Sequence, residues 1–146
     1  MTFKIVSQNM NSLNLSTYKD SENSLFKKKI SSLLLNKAEI YFLQDIRLGG
    51  KNGENILKNH VKFHHLGNYN SYLNSKYTSR GVGILIDISL NFNLINTITD
   101  DLGNLLILIG ELDNIPSVLV NVYGPNENNR DFWSNLLFSR FSCYQT

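Results

Sequence analysis

The alternation of apolar and polar positions divides the chain into short blocks of changing period. Phe3 to Gln8 is rich in β-formers and stops at Asn9, which predicts a strand. Residues 10–24 are polar, with repeated Ser and Asn, and predict a loop. From Ser24 the period lengthens. Phe26, Ile30, Leu33 and Leu34 recur at i, i+4, i+7 and i+8, while Lys27, Lys28, Lys29 and Lys37 fall mostly elsewhere. This predicts an amphipathic helix with a basic outer face. Asp20 and Glu22 precede it and Lys37 is placed in its last turn, an order that suits the helix dipole. Glu39 to Gln44 is again nearly continuous in β-formers and stops at Asp45. Strand, helix and strand in succession predict a βαβ unit with parallel neighbouring strands and a right-handed crossover.

Residues 46–60 carry glycines and mixed charge and read as loop with a short helix. Beyond them the period shortens to that of strands. Gly81 to Ile88 reads as a buried strand, Phe92 to Ile98 as a half-exposed one, and Asn104 to Leu112 as a third. Asp113 to Pro116 is a turn, and Ser117 to Tyr123 the return strand. Consecutive strands with short turns predict an antiparallel meander. Residues 128–139 start another helix, with Phe132, Trp133, Leu136 and Leu137 on one side. The reading is α/β shading into α+β: a βαβ start followed by hairpins, in one domain over residues 1–146.

Composition narrows the function classes. Hydrophobic residues make up 42%, enough for a core and against disorder. The formal net charge of +2 neither requires nor excludes a polyanionic partner. The single cysteine, Cys143, rules out an internal disulfide framework or a cysteine zinc site. No apolar run reaches membrane-span length and the N-terminus has no signal-peptide pattern, so the expectation is an intracellular protein, nuclear or cytoplasmic, with no membrane partner. His60, His64 and His65 cluster, but without a metalloprotease motif or a cysteine pair they read as surface or partly buried histidines.

The strand ends carry the chemistry. One closes with Gln8-Asn9, another with Gln44-Asp45, and a later one with Asn121, Tyr123 and Asn126. In open α/β arrangements such ends collect at one edge, where sites form. A carboxylate with amide neighbours suits a hard cation such as magnesium, and Asn and Tyr can then donate to phosphate oxygens. Each residue also has a plainer reading. Asn9 can cap a turn, Asp45 the next segment, and Tyr123 can be a core aromatic with a satisfied hydroxyl.

Four segments resemble the first half of the endonuclease/exonuclease/phosphatase family: VSQNMNSLN at 6–14, IYFLQDIRL at 40–48, SRGVGILI at 79–86 and VNVYGPNENNRDFW at 120–133. They are most similar to the apurinic/apyrimidinic-endonuclease-like domains of non-LTR retrotransposons. The resemblance implies a β-sandwich of two sheets flanked by helices, a four-layer αββα arrangement. It also implies cleavage of phosphodiester bonds in DNA with magnesium, or manganese in its place. On it, Asn9 is the site-organising amide of the first strand, Asp45 stands where the family usually has a metal-binding glutamate, and Tyr123 contacts the scissile phosphate. Asn126 is the amide of the following turn, and Asn11 and Arg80 touch DNA.

Asp45 in place of glutamate keeps the charge but is one methylene shorter. The family's later motifs, with the base-orienting aspartate and the general-base histidine, have no counterpart before Thr146. The chain is therefore expected to be the N-terminal part of the domain, inactive or nearly so without the second half. Two other readings stand beside this one. The first is a degenerate, non-catalytic module binding nucleic acid through Lys27–Lys29, Lys37 and Arg80. The second is a same-fold phosphatase or lipid phosphodiesterase.

Overall fold

The computed structural model describes residues 2–19, 24–63, 68–124 and 130–134. Strand β1 (Ile5–Asn9) leads through a polar loop with one 3₁₀ turn into helix α1 (Leu25–Leu34) and then strand β2 (Ile40–Gln44). Ser24 caps α1: its backbone is extended and its Oγ accepts from the Lys27 N–H at 3.2 Å. Phe26, Ile30, Leu33 and Leu34 are the buried stripe, as their spacing predicts. Lys37 lies beyond the helix instead of in its last turn, in a left-handed conformation with φ 51°. The β1–β2 pair is parallel, with Asn9 opposite Gln44, so both strands end at one edge.

Helix α2 (Lys51–Phe63) and strand β3 (Tyr69–Asn74) follow, then β4 (Val82–Asp87), β5 (Phe92–Thr99), β6 (Leu105–Leu112) and β7 (Ile115–Val122). The first sheet has the order β1-β2-β4-β3, with β4 antiparallel to both neighbours. The second is the meander β5-β6-β7. Asp113 and Asn114, at φ 49° and 65°, form the two-residue turn between β6 and β7, a geometry suited to the twist of a hairpin. The return strand thus begins at Ile115, and Pro116 sits in it on an edge, where a missing N–H is tolerated.

Strand periodicity sorts the core into two layers. Tyr41, Leu43 and Leu85 join Phe26, Ile30, Leu34, Leu57 and Val61 between the first sheet and the helices. Ile40, Val82, Ile84 and Ile86 face Leu106 and Leu108 between the two sheets, with Phe42 packed against them. This burial of both faces explains why β2 reads as a continuous apolar run rather than an alternating one. The architecture is α+β, two stacked sheets with helices on the outer face of the first, in agreement with the sequence-based expectation. Asn121 of β7 pins the layers: its Nδ2 donates to the Leu43 and Gly83 carbonyls at 2.9 and 2.8 Å, and its Oδ1 accepts from Gln44 Nε2 at 2.9 Å. Asn74 makes a second pin, donating to Asp100 Oδ1 at 3.0 Å and to the Leu105 carbonyl at 2.9 Å.

Helix α2 is longer than the short helix expected within residues 46–60, and strand β3 was not expected. The apolar face of α2 is thin, with Gly53, Leu57 and Val61 as its buried positions, so tertiary packing rather than propensity makes the helix. Gly53 allows that packing. A β-carbon there would collide with the Leu48 carbonyl oxygen and lie 2.7 Å from Leu15 Cδ2. Alanine normally stabilises a helix relative to glycine by about 1 kcal/mol. At this position overpacking reverses the sign, and Gly53→Ala should lose roughly 1–3 kcal/mol in urea denaturation. A gain in midpoint would refute the close approach.

Two tyrosines hold the turn before β2. Tyr69 Oη donates to the Ala38 carbonyl at 2.9 Å, and the Ala38 N–H donates to Tyr41 Oη at 3.0 Å. Burial, and then neighbouring Tyr41, push the Tyr69 phenol above the ordinary value of 10.0. The neutral phenol is thus favoured in the folded state. Its contribution is complete below pH of about 10 and is lost as the pH rises beyond it. Urea midpoints should hold steady to about that pH and then fall. Tyr69→Phe should remove part of the fall, the remainder including Tyr72, which burial also raises. An unchanged alkaline limb in the variant would count against this assignment.

Candidate functional site

At the edge where β1 and β2 end lies a cavity of about 340 Å³. Asp45, Arg47, Arg80 and Tyr123 line it, with Thr78, Ser79, Asn104 and Gly124 completing the wall. Three of the six residues singled out from the sequence, Asp45, Arg80 and Tyr123, therefore meet.

Each arrives by a local route. Asp45 follows β2 at φ 54° and is buried, its carbonyl accepting from the Ser12 N–H at 2.8 Å. Arg80 stands at φ 62° before Gly81, whose own φ is 99°. A β-carbon on Gly81 would collide with Ser75 Oγ, so only glycine lets this turn close. The Arg80 carbonyl accepts from the Arg47 N–H at 2.8 Å, and the Gly81 N–H donates to the Gly103 carbonyl at 3.0 Å. Tyr123 follows β7, its N–H donating to the Asn104 carbonyl at 2.8 Å. Leu119, Asn121 and Tyr123 share one face of that strand. Asn121 reaches the backbone of the first sheet, and Tyr123, two residues on, reaches the cavity.

Left-handed conformations concentrate here, at Asn11, Ser12, Asp45, Arg47 and Arg80. For arginine such a backbone is costly and persists only when its surroundings hold it. The hydrogen bonds among residues 12, 45, 46, 47, 80, 81 and 103 do so.

The charge balance departs from the sequence reading. Asp45 is not a free carboxylate: Arg47 Nε donates to Oδ1 and Nη2 to Oδ2, each at 2.8 Å. The Asp45 side chain is 6% exposed and that of Arg47 40%. Hydrogen bonding to Asp45, and then its charge, raise the guanidinium above its ordinary value. Arg80 has no ion pair among the described residues. Among the described residues the cavity holds one carboxylate against two guanidiniums, with a phenol and an amide beside them, a set that favours an anion.

Among the described residues no group of three or more His, Cys, Asp or Glu is placed to share a metal ion. Asp45 is the one acidic residue lining the cavity among the described residues. Magnesium is content with one or two carboxylates plus water and phosphate oxygens, so this donor set fits it only when Arg47 gives up Asp45.

Asn9 and Asn11 do not line the cavity. Asn9 stands on the same edge, but its Oδ1 accepts from the Asn11 N–H at 2.9 Å, a local turn contact. Asn126, His64, His65 and Cys143 lie outside the described residues. His60 belongs to the helical layer and rests edge-on against Phe26 at 5.6 Å. The basic helix face is also less available than expected. Lys29 Nζ donates to the carbonyls of Met10, Asn11 and Ser12 at 3.3, 3.2 and 2.6 Å. Arg47 and Asn104 were missed by sequence reasoning. For Arg47 a signal existed: Asp and Arg separated by one residue, just past a strand, can bring their side chains together.

No family model and no curated protein matches the chain. Solved structures do: truncated TDP2 from Caenorhabditis elegans, at 18% identity and TM-score 0.48, over 80% of this chain and 45% of that one. TDP2 from the same organism is similar at the same identity and TM-score, over 34% of its length. The chain spans less than half the length of these structures. No helix among the described residues is long and apolar enough to cross a membrane.

Proposed function

We propose that this chain is the N-terminal part of a metal-dependent, phosphodiesterase-type DNA endonuclease domain of the endonuclease/exonuclease/phosphatase kind, from a non-LTR retrotransposon, and that the cavity receives the scissile phosphate. One observation carries the reading. Asp45, Arg80 and Tyr123 come from three of the four resembling segments, far apart in sequence, and line one cationic cavity. In this reading Arg80 and the Tyr123 hydroxyl hold phosphate oxygens, and the Asn104 amide supports them. Asp45 would hold magnesium together with a carboxylate of the second half of the domain, and the ion would polarise the phosphate. Asn9 keeps the first loop in shape rather than touching substrate, while Asn11 and Asn126 contact DNA outside the cavity. The general base belongs to the second half, so the chain alone should not nick DNA.

The Asp45–Arg47 pair favours one competing reading, a non-catalytic nucleic-acid-binding remnant whose carboxylate is permanently neutralised. Both readings require phosphate contact. The test is binding of a duplex oligonucleotide across a salt series. Affinity should fall steeply with salt, and Arg80→Ala should weaken it and reduce the salt slope by roughly one. Salt-insensitive binding, or an unaltered slope in the variant, would remove the phosphate role. Nicking of supercoiled plasmid by the chain alone, at the rate of an active nuclease, would overturn the assignment of the base to the second half.

A further inference from the structure

A second cavity, of about 570 Å³, adjoins the first and shares Arg47 and Thr78 with it as a common wall. We infer that it is a nucleoside subsite, taking the base and sugar of the nucleotide whose phosphate lies in the first cavity. The inference rests on the phosphate reading above and adds to it which part of the substrate is held beside the phosphate, and by what.

The lining narrows the ligand class by exclusion. Among the described residues no carboxylate lines this cavity, so they offer a cation no charged ligand. The one charged residue in its described lining is Arg47, already committed to Asp45, so that lining does not suit a second phosphate either. What remains is neutral and mixed. Leu15, Leu48 and Ile56 give an apolar surface, while Asn14, Ser16 and Asn52 offer amide and hydroxyl groups. Tyr18 adds an aromatic ring that is 36% exposed. Flat heterocycles with edge donors and acceptors match such a surface, because every base has a π-face for a tyrosine and polar edges for amides. The volume lies within the range of small-ligand sites, roughly 300–1,000 Å³.

Two observations indicate that the subsite is formed in advance. The Asn11–Asn14 loop has three left-handed residues, Asn11, Ser12 and Asn14, at φ 47°, 70° and 55°. It is held in that shape from outside, by Lys29 on its carbonyls and by Ser12 and Leu13 N–H groups donating to the Asp45 and Ile46 carbonyls at 2.8 and 3.1 Å. The Tyr18 ring is likewise braced, in a T-shaped contact with Phe26 at 5.5 Å and with Lys27 Nζ 5.4 Å from its centre. Asn14 also carries a buried Oδ1 with no hydrogen-bond donor among the described residues. A small turn of that side chain would let a base N–H or a sugar hydroxyl supply one.

The test is calorimetric titration of the full chain in EDTA, so that only its own side chains act, with four probes: inorganic phosphate, deoxyribose 5-phosphate, deoxyadenosine and deoxyadenosine monophosphate. The nucleotide should bind at least tenfold tighter than either phosphate probe. Asn52→Ala, at an exposed helix position, and Tyr18→Ala should bring that ratio close to one, with far-ultraviolet circular dichroism confirming that both fold. Phosphate binding without any advantage for the nucleotide would overturn the nucleoside subsite and leave the phosphate reading standing. Equal affinity for nucleoside and nucleotide would overturn the adjoining arrangement. Failure of every phosphate-bearing probe would overturn both readings together.

Discussion

Asn121→Leu should lower the unfolding free energy by about 2–4 kcal/mol, the largest single-residue loss expected in the chain. The side chain is 2% exposed and bridges the two sheets. Leucine keeps the approximate volume but removes both donors, so the carbonyls of Leu43 and Gly83 lose a partner in a buried interface. Gln44 fares better, because its amide also donates to Ser7 Oγ and the Phe42 carbonyl, each at 3.2 Å. Asn121→Asp should be worse at neutral pH, since it aims a carboxylate at two carbonyl oxygens. For a chain of this size the loss should lower Tm by about 10 °C. Denaturation by urea and by heat, followed by circular dichroism, reads both. A change within about 0.5 kcal/mol would mean that the sheets are held by apolar contact alone.

Arg47→Ala should turn a weakly metal-responsive cavity into a strongly responsive one. In the present arrangement both Asp45 oxygens are held by one guanidinium, and a divalent ion must displace it. Without metal the variant should be less stable by roughly 1–2 kcal/mol, a buried carboxylate having lost its partner while solvent screening at the exposed arginine limits the effect. Magnesium at a hundred times its Kd should then restore about 2.7 kcal/mol. The native chain should gain less at the same concentration, because its ion competes with Arg47. Melting curves with and without magnesium for native chain, Arg47→Ala and the double variant with Asp45→Asn separate these terms, and the double variant should not respond. Equal shifts in native chain and single variant would show that Arg47 does not control Asp45. No response in either would favour the remnant over the metal-dependent nuclease.

The elements with strong local periods were readable from the chain. Helix α1 was legible because four apolar residues recur at helical spacing behind a capping serine. Strands β2, β4 and β6 were legible because burial on two faces makes their apolar runs continuous. Helix α2 and strand β3 were not. The first is rich in Asn, Lys and Gly and becomes a helix by resting on Leu48 and Leu15, and the second is half polar. The same contrast holds at the site. That Asp45, Arg80 and Tyr123 sit at element ends follows from the sequence. That Asn121 is a pin, that Asn9 serves its own loop and that Arg47 covers Asp45 do not.

Composition and period alone determined that α1 and most of the strands form, which faces they bury, and that polar residues terminate several of them. These are properties of neighbours within a few residues, where apolar spacing and backbone preference act directly. Only the tertiary structure decided which of those ends share a cavity and what charge it carries. That outcome depends on β2 pairing in parallel with β1 and antiparallel with β4, and on β7 being drawn against both by one buried amide. Contacts between residues 43, 83 and 121 leave no periodic trace in a chain, because each partner supplies only a backbone carbonyl that every residue possesses.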